Sequence, residues 1–276
     1  MPKTWFITGA GRGLGADIAK AALRAGDQVV AASRGRAAAG LGPDDDRLLS
    51  VSLDVTDADR ARAAVDAGIS RFGSIDVLVN NAGYGHLGFF EETTTADVQA
   101  QFATNLFGVF NVTRAVLPAM RTARKGRIFN VSSIAGIRGA EFCSLYCASK
   151  FALEGFSEAL SNEVEPFGLF VTIVEPGPFR TDFLTPESLH FAARPLPDYE
   201  ARRTRLQSAF EARNGQQPGD PSKLAAAMVQ LAREPKPPLR FVAGAFAVDA
   251  ANAKLAAMRA EFDAWRPLSL GTDYGS

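Results

Sequence analysis

Tyr146 and Lys150 stand four residues apart in the stretch Tyr-Cys-Ala-Ser-Lys. On a helix that spacing puts both on one face, a phenol beside an ammonium. A tyrosine with its ordinary pKa of about 10 is a poor base at neutral pH. A neighbouring ammonium favours the phenolate and lowers that value, so the pair can give or take a proton. Taken alone, the pattern also fits a surface aromatic beside a lysine. Ser133, closing the run Ile-Phe-Asn-Val-Ser-Ser, adds a hydroxyl that can hold a substrate oxygen if its strand opens onto the same crevice. Ser132 faces the other way by strand alternation and reads as structural.

A second constellation lies near the start of the chain, in Thr-Gly-Ala-Gly-Arg-Gly-Leu-Gly, residues 8 to 15. Gly9, Gly11, Gly13 and Gly15 make poor helix formers, each costing a helix interior roughly 1 kcal/mol relative to Ala. They suit a tight strand-to-helix turn whose backbone must approach a pyrophosphate at the positive helix end. The spacing from Gly9 is GxxxGxG, whereas the common GxGxxG fingerprint would need glycine at Leu14 or Ala16. The alternative is an ordinary tight turn. No lysine followed by Ser or Thr is present in it, so a phosphate-transfer loop is a poor reading.

One strand later, an acid at the strand's end would accept hydrogen bonds from ribose hydroxyls and favour NAD. The sequence has Ser33, Arg34 and Arg36 there, with Asp27 at the opposite end of the strand and Arg12 inside the glycine turn. Guanidinium groups without a carboxylate suit a 2'-phosphate, so NADP (as NADPH) is expected and NAD is the lesser alternative. Solvated surface arginines are the bland reading of Arg34 and Arg36.

These groups need a scaffold that gathers them. Short β-branched or aromatic runs at 4–8, 28–32, 48–53, 76–79, 127–131, 169–174 and 240–242 alternate with Ala-, Leu- and Arg-rich stretches at 13–25, 57–72, 95–122, 146–167, 198–213 and 221–233. The alternation predicts an α/β doubly wound three-layer sandwich with a mostly parallel seven-stranded sheet. Its ligand crevice lies outside the carboxyl ends of the strands. Residues 35–46 read as a surface crossover. Residues 177–198, with four prolines among phenylalanines, read as an irregular, partly apolar lid, and the lid region is placed at about 178–213. A C-terminal extension at about 245–276 predicts one more helix ending near Pro267. The whole is expected to be one domain.

Composition narrows the partners. Lys plus Arg and Asp plus Glu are 30 each among 276 residues, so no net field favours nucleic acid or an anionic membrane. Apolar residues are 47% of the chain, yet no run approaches the roughly 18 needed to span a membrane. Met1-Pro2-Lys3-Thr4 runs straight into a strand pattern, leaving no room for a secretory leader. Cys143 and Cys147 form no disulfide framework, and His86 and His190 form no metal cluster. A cytoplasmic, metal-free protein is expected.

Taken together, these residues resemble the short-chain dehydrogenase/reductase family. The chain carries that family's glycine turn at Thr8 to Gly15, its adenine-side acid at Asp54, Asn80-Asn81-Ala82-Gly83 after the fourth strand, and Asn105 on the following helix. Ser133, Tyr146 and Lys150 match the catalytic set, and Pro176-Gly177 with Thr181 match the exit of the sixth strand. The resemblance covers about residues 4–185 and implies a Rossmann-like oxidoreductase. It implies Tyr146 as general acid in reduction and base in oxidation, Lys150 on the nicotinamide ribose, Ser133 orienting the carbonyl or hydroxyl, and Asn105 holding a relay water. It further implies that Asp54 and Val55 contact adenine, that Asn81, Ala82 and Gly83 line the cleft, that Gly11, Arg12, Leu14 and Gly15 belong to the cofactor turn, and that Thr181 meets the carboxamide. A basic residue at Arg12 or Arg34 goes with NADP in this family. The helices at 95–122 and 146–167 resemble its dimer-forming pair, so a homodimer is expected and a tetramer is the alternative.

Phe89, Phe90, Phe142, Phe179, Phe183 and Phe191 fall in segments expected at the pocket, pointing to a moderately large apolar alcohol, ketone or aldehyde. Core packing is the other use for phenylalanine. His86 reads as a packed bystander more than a pocket group, and the two cysteines read as packing residues. Two other functions fit the same residues. A cofactor-binding sensor or scaffold would bind NADPH without turnover, and an epimerase or dehydratase would form product with no net use of cofactor.

Overall fold

The computed structural model describes residues 2–35 and 40–274. Arg36, one of the two guanidinium groups expected past the second strand, lies outside them. The chain runs β1 (Thr4–Thr8), α1 (Gly13–Arg24), β2 (Gln28–Ser33), β3 (Leu48–Ser52), α2 (Ala58–Phe72), β4 (Val77–Asn80), β5 (Gly85–Leu87) and α3 (Thr95–Phe102). A π-helical turn at Ala103–Phe107 leads into α4 (Gly108–Ala123), β6 (Gly126–Val131), α5 (Ser144–Val164), β7 (Leu169–Pro176), β8 (Leu189–Phe191), α6 (Glu200–Ala212), α7 (Pro221–Leu231), β9 (Arg240–Ala243) and α8 (Ala245–Leu270).

The seven-stranded sheet has the order β3-β2-β1-β4-β6-β7-β9, and every pairing in it is parallel. Helices cover both faces, giving the three-layer Rossmann-like sandwich. Strand β1 shows how the sequence builds this. Trp5 and Ile7 enter the core beneath α1 and α7, while Phe6 enters the core shared with α2, α4 and α5. Alternate residues therefore serve opposite layers, as expected where both faces of a parallel strand are dry. The strand order reverses between β1 and β4, which sit side by side, and the crevice outside their carboxyl ends receives the site residues.

Several sequence expectations are revised. The stretch 95–122 is two α-helices joined by the π turn. The segment 177–198 is not wholly irregular, because β8 pairs in parallel with β5 through His86 opposite His190. The last helix continues through Pro267 to Leu270. Asp27 is accounted for structurally: its carboxylate accepts from Trp5 Nε1 at 3.0 Å and from Arg233 at 3.1 Å, at the amino end of the sheet.

Candidate active site

The glycine turn is pinned by the neighbouring strand. Thr8 Oγ1 donates to the Val79 carbonyl at 3.3 Å and accepts from the Asn81 and Ala82 amides at 3.0 Å each. Asn81 Nδ2 donates to the carbonyls of Thr8 at 3.0 Å and Gly9 at 3.3 Å. Two glycines are required by geometry. Gly9 has φ of +67°, and a Cβ on Gly15 would stand 2.3 Å from the Gly9 carbonyl oxygen and 2.5 Å from Asn81 Nδ2. Helix α1 begins here with no side-chain cap and no acid in its first turn. Its first amides are thus left for an anion, and the cradle fits a dinucleotide pyrophosphate. Leu14 turns inward and packs against the core beneath α1.

Ser33 sits opposite the turn, its Cβ 3.2 Å from where a Cβ on Gly11 would lie, and its hydroxyl donates to the Gly35 carbonyl at 2.8 Å. Arg34 is exposed and its charge reaches both Asp54 and Tyr84. Hydrogen bonds from the Thr56 amide and hydroxyl hold the Asp54 carboxyl below the usual range, with Arg34 assisting. Val55, next in the chain, is buried in the core shared with α2 and α4. Arg12 points elsewhere: its Nη2 donates to the Glu187 carbonyl at 2.8 Å and Ser188 Oγ at 2.7 Å. It thus ties the glycine turn to the segment leading into β8, away from Ser33.

The end of β7 closes the far side of the turn. Pro176 ends the strand, and the Gly177 amide donates to Ala243 at 2.9 Å. Thr181 Cβ lies 3.7 Å from where a Cβ on Gly13 would be. Between α1 and this segment opens a cleft of about 360 Å³ lined by Gly11, Arg12, Asp17, Lys20, Arg180 and Thr181.

On α5, Tyr146 and Lys150 share one face as their spacing requires. Lys150 is buried, its Nζ donates to the Val131 carbonyl at 2.8 Å, and it lies 5.8 Å from the centre of the Tyr146 ring. Burial pushes the ammonium down to about 8, with the Glu154 carboxylate opposing. Burial also pushes the Tyr146 phenol above its ordinary value; a hydrogen bond from Ser133 opposes this, and the thiols of Cys143 and Cys147 add to it. The expected lowering of the phenol by its lysine is therefore reversed. Desolvation of the ring is the largest influence on it, and it favours the neutral phenol over the phenolate. Ser133 Oγ accepts from the Ala135 amide at 3.1 Å, which fixes the hydroxyl beside Tyr146. Ser132, just past the end of β6, is buried.

Asn105 lies in the π turn, a feature common at functional sites. Its Oδ1 accepts from the Tyr84 amide at 3.1 Å, and its Nδ2 donates to the Tyr84 carbonyl at 3.0 Å and Ser149 Oγ at 3.2 Å. A Cβ on Gly83 would lie 3.2 Å from Asn105 Oδ1 and 3.8 Å from Lys150 Nζ, so Gly83 brings the end of β4 against both. Sequence reasoning missed Gln101, which is fully buried and grips the same backbone: its Oε1 accepts from the His86 amide at 2.8 Å and its Nε2 donates to Tyr84 at 3.0 Å. Its place one helical turn before Asn105 is the only signal for it. His86 is packed and pairs with Asp97 at 3.3 Å, and burial lowers its pKa.

The phenylalanines divide. Phe89, Phe142 and Phe191 join Leu87, Leu189 and Cys143 in one apolar cluster, and Phe183 stands 5.5 Å from the Tyr146 ring. Phe142 adopts a left-handed φ of +69°, an unfavourable conformation for a bulky residue that recurs at functional sites. Phe90 is 67% exposed, and Phe179 packs in the core under α1. Neither belongs to that cluster.

The model of the family described as short chain dehydrogenase matches residues 3–190. The chain belongs to the short-chain dehydrogenase family. It is thus an oxidoreductase acting on CH–OH and C=O groups with a nicotinamide dinucleotide. Among curated relatives, oxidoreductase BOA17 of Botryotinia fuckeliana is 39% identical over 282 residues, covering 99% of the dehydrogenase and all of the relative. The 3-ketodihydrosphingosine reductase of Bacteroides thetaiotaomicron is 39% identical over 88% of each chain. A short-chain dehydrogenase structure from Streptomyces avermitilis aligns with TM-score 0.89 at 40% identity, covering 99% of the dehydrogenase and 100% of that chain. A Burkholderia phymatum family member in complex with NAD aligns at TM-score 0.76 and 26% identity, covering 96% and 95%. ElxO with NADP bound aligns at 0.70 and 26%, covering 85% and 92%. Among the described residues, no helix is long and apolar enough to cross a membrane.

Proposed function

We propose that the dehydrogenase uses NADP(H) to interconvert a moderately large apolar alcohol with its ketone or aldehyde. The observation that carries the substrate class is Phe183, 5.5 Å from the Tyr146 ring, together with the apolar cluster of Phe89, Phe142 and Phe191 packed with Cys143 and Cys147, which flank that tyrosine in the chain. A bulky hydrocarbon would be desolvated there and a polar sugar would not be compensated. The relative named for 3-ketodihydrosphingosine accords with this class. The cofactor preference rests on Ser33 and the exposed Arg34 standing where an acid would select NAD.

When bound, the nicotinamide supplies or takes the hydride. The protein's own residues do the rest. The amides opening α1, with Gly9, Gly11, Gly13 and Gly15, seat the pyrophosphate. Arg34 reads the 2'-phosphate, Asp54 and Val55 meet the adenine, Asn81, Ala82 and Gly83 line the cleft, and Pro176, Gly177 and Thr181 border the nicotinamide. Ser133 donates to the substrate oxygen, and the Tyr146 phenol delivers its proton to that oxygen in reduction and takes it back in oxidation. Lys150 binds the ribose and stabilises the phenolate left behind, while Asn105 with Tyr84 holds the path by which a proton returns through Lys150. Residues 178–213 act as a lid on a single domain. Exposed Phe107 and Phe151, with Phe110 and Phe156 between α4 and α5, offer a homodimer contact. The free, buried cysteines suit a reducing compartment, the cytoplasm.

The test is a titration of the protein with NADPH and NADH, repeated for Arg34→Ala, followed by a substrate panel of decanal, menadione, a steroid ketone and small sugars. Tighter NADPH binding that collapses in the variant, with turnover of the apolar carbonyls, is expected. Equal NADH binding would remove the NADP assignment, and faster turnover of sugars would remove the apolar one.

A further inference from the structure

The helix face that carries Tyr146 and Lys150 continues at the same spacing to Glu154 and Glu158. Glu154 is buried, and it meets a second buried acid, Glu175 of β7, and Arg240 of β9. Arg240 bonds Glu154 through Nη1, Glu175 at 3.2 Å through the same nitrogen, and the half-exposed Glu158 at 2.6 Å through Nη2. Three acids therefore share one guanidinium. With all of them ionised, Glu154 Oε1 and Glu175 Oε2 would be buried without a donor. Such orphans cost more than the bonds they forgo. Both carboxyls meet the same Arg240 nitrogen, and a proton on one of them removes the conflict. Glu175 is the member that takes it, pushed above the ordinary carboxylate range by burial and by the Glu154 carboxylate. Glu154 stands one helical turn beyond Lys150 on the same face.

Ser132 brings the cluster to the catalytic strand. A Cβ on Gly136 would lie 2.6 Å from Ser132 Oγ and 2.9 Å from Glu154 Oε1, so both atoms border one point behind Ser133. Around Lys150 the facing groups are the Tyr146 phenol on α5, Asn105 from the π turn, Gly83 after β4 and the Val131 carbonyl of β6. Around Glu154 they are Arg240, Glu175, Glu158 and Ser132. Glu154 is the acid among them whose charge acts on Lys150 against burial.

We propose that Glu154, held by Arg240 and by a protonated Glu175, is a positioning residue that keeps Lys150 charged in its dry site. It touches neither substrate nor cofactor and acts through the lysine, so the inference rests on the proposed role of Lys150. The structural alternative is that the cluster merely ties α5 to β7 and β9.

Two readouts separate these. The first is the pH midpoint of Lys150 in the cofactor-free protein, followed by its Cε resonance in carbon-labelled protein and assigned by its loss in Lys150→Arg. Glu154→Gln is expected to lower that midpoint by about one pH unit, the size of effect a close opposite charge exerts. Glu175→Gln, which alters the same cluster but leaves the Glu154 charge, is expected to leave it in place. Glu154→Asp keeps the charge at a greater distance and gives a smaller downward shift, which serves if the glutamine variant does not fold. The second readout is the pH profile of kcat/KM for menadione reduction with NADPH, whose alkaline limb should move down with the lysine midpoint. An unmoved midpoint in Glu154→Gln and Glu154→Asp, or equal shifts in Glu154→Gln and Glu175→Gln, would overturn the inference. A shifted midpoint in a protein that turns over no carbonyl would instead overturn the proposed substrate reaction and leave the Glu154 role standing.

Discussion

Around the glycine turn, position is set by backbone: Thr8, Gly9 and Asn81 lock two strand ends together through main-chain atoms, and Gly15 leaves no room for a methyl group. Across the crevice, beyond the short backbone pairing of β8 with β5, side chains hold the segment that runs on to Ala212. Glu92, fully buried, accepts from the Leu196 amide at 2.9 Å and from Arg203, while Arg202 pairs with Glu141 and Tyr199 with Glu91. The first region fits a ligand part that does not vary, a pyrophosphate, for which backbone amides suffice. The second, as the proposed lid, would shape itself to a substrate, and exchangeable side chains on a tethered segment allow this without disturbing the sheet.

Variants on the two sides should therefore fail differently. Tyr146→Phe removes the acid and is expected to lower kcat by about 10²–10⁴-fold, the usual worth of a positioned proton donor. NADPH binding, followed by nicotinamide fluorescence, should persist. Gly15→Ala drives a methyl group into the Gly9 carbonyl and is expected to cost about 1–3 kcal/mol of stability, as overpacking does. Thermal melting would check it, and NADPH affinity should fall in parallel. Arg34→Ala should weaken NADPH by about tenfold and NADH hardly at all, the loss of one charged hydrogen bond to phosphate. Phe183→Ala, on the adaptable side, should raise KM for an apolar ketone by roughly threefold to tenfold, the range of one aromatic contact, with NADPH affinity held.

The smallest expected effect is that of pH on cofactor binding. Burial lowers Lys150 to about 8, so the ammonium proposed to bind the ribose is present below that pH and is lost as pH rises through it. NADPH affinity measured calorimetrically should decline by a few-fold above about pH 8, and Lys150→Met should abolish that decline. A flat wild-type profile would place the lysine outside cofactor binding.

Local pattern made much of this legible. The apolar runs marked the strands of the main sheet, because strands buried on both faces must be continuously apolar. Four close glycines marked the turn, and the spacing of Tyr146 and Lys150 marked a shared helix face. The same spacing extended to Glu154, but nothing in it revealed that Arg240 and Glu175, far along the chain, would meet that acid. The π turn was hidden because the helical pattern runs through 103–107 with little interruption. Strands β5 and β8 have three residues each, too few for alternation to register.

Sequence by itself marked the strands of the sheet, the glycine turn and the helix face shared by Tyr146 and Lys150, since each follows from residue type and short-range spacing. Only the tertiary structure decided the charge states within that pair. Desolvation by distant segments, rather than the near neighbour in the helix, moves Tyr146 up and Lys150 down. It likewise decided that Arg12 reaches Ser188 and Glu187, and that Phe179 packs in the core while Phe183 stands at the tyrosine. Burial and long-range contact depend on which surfaces the whole chain brings together, and no local window contains that information.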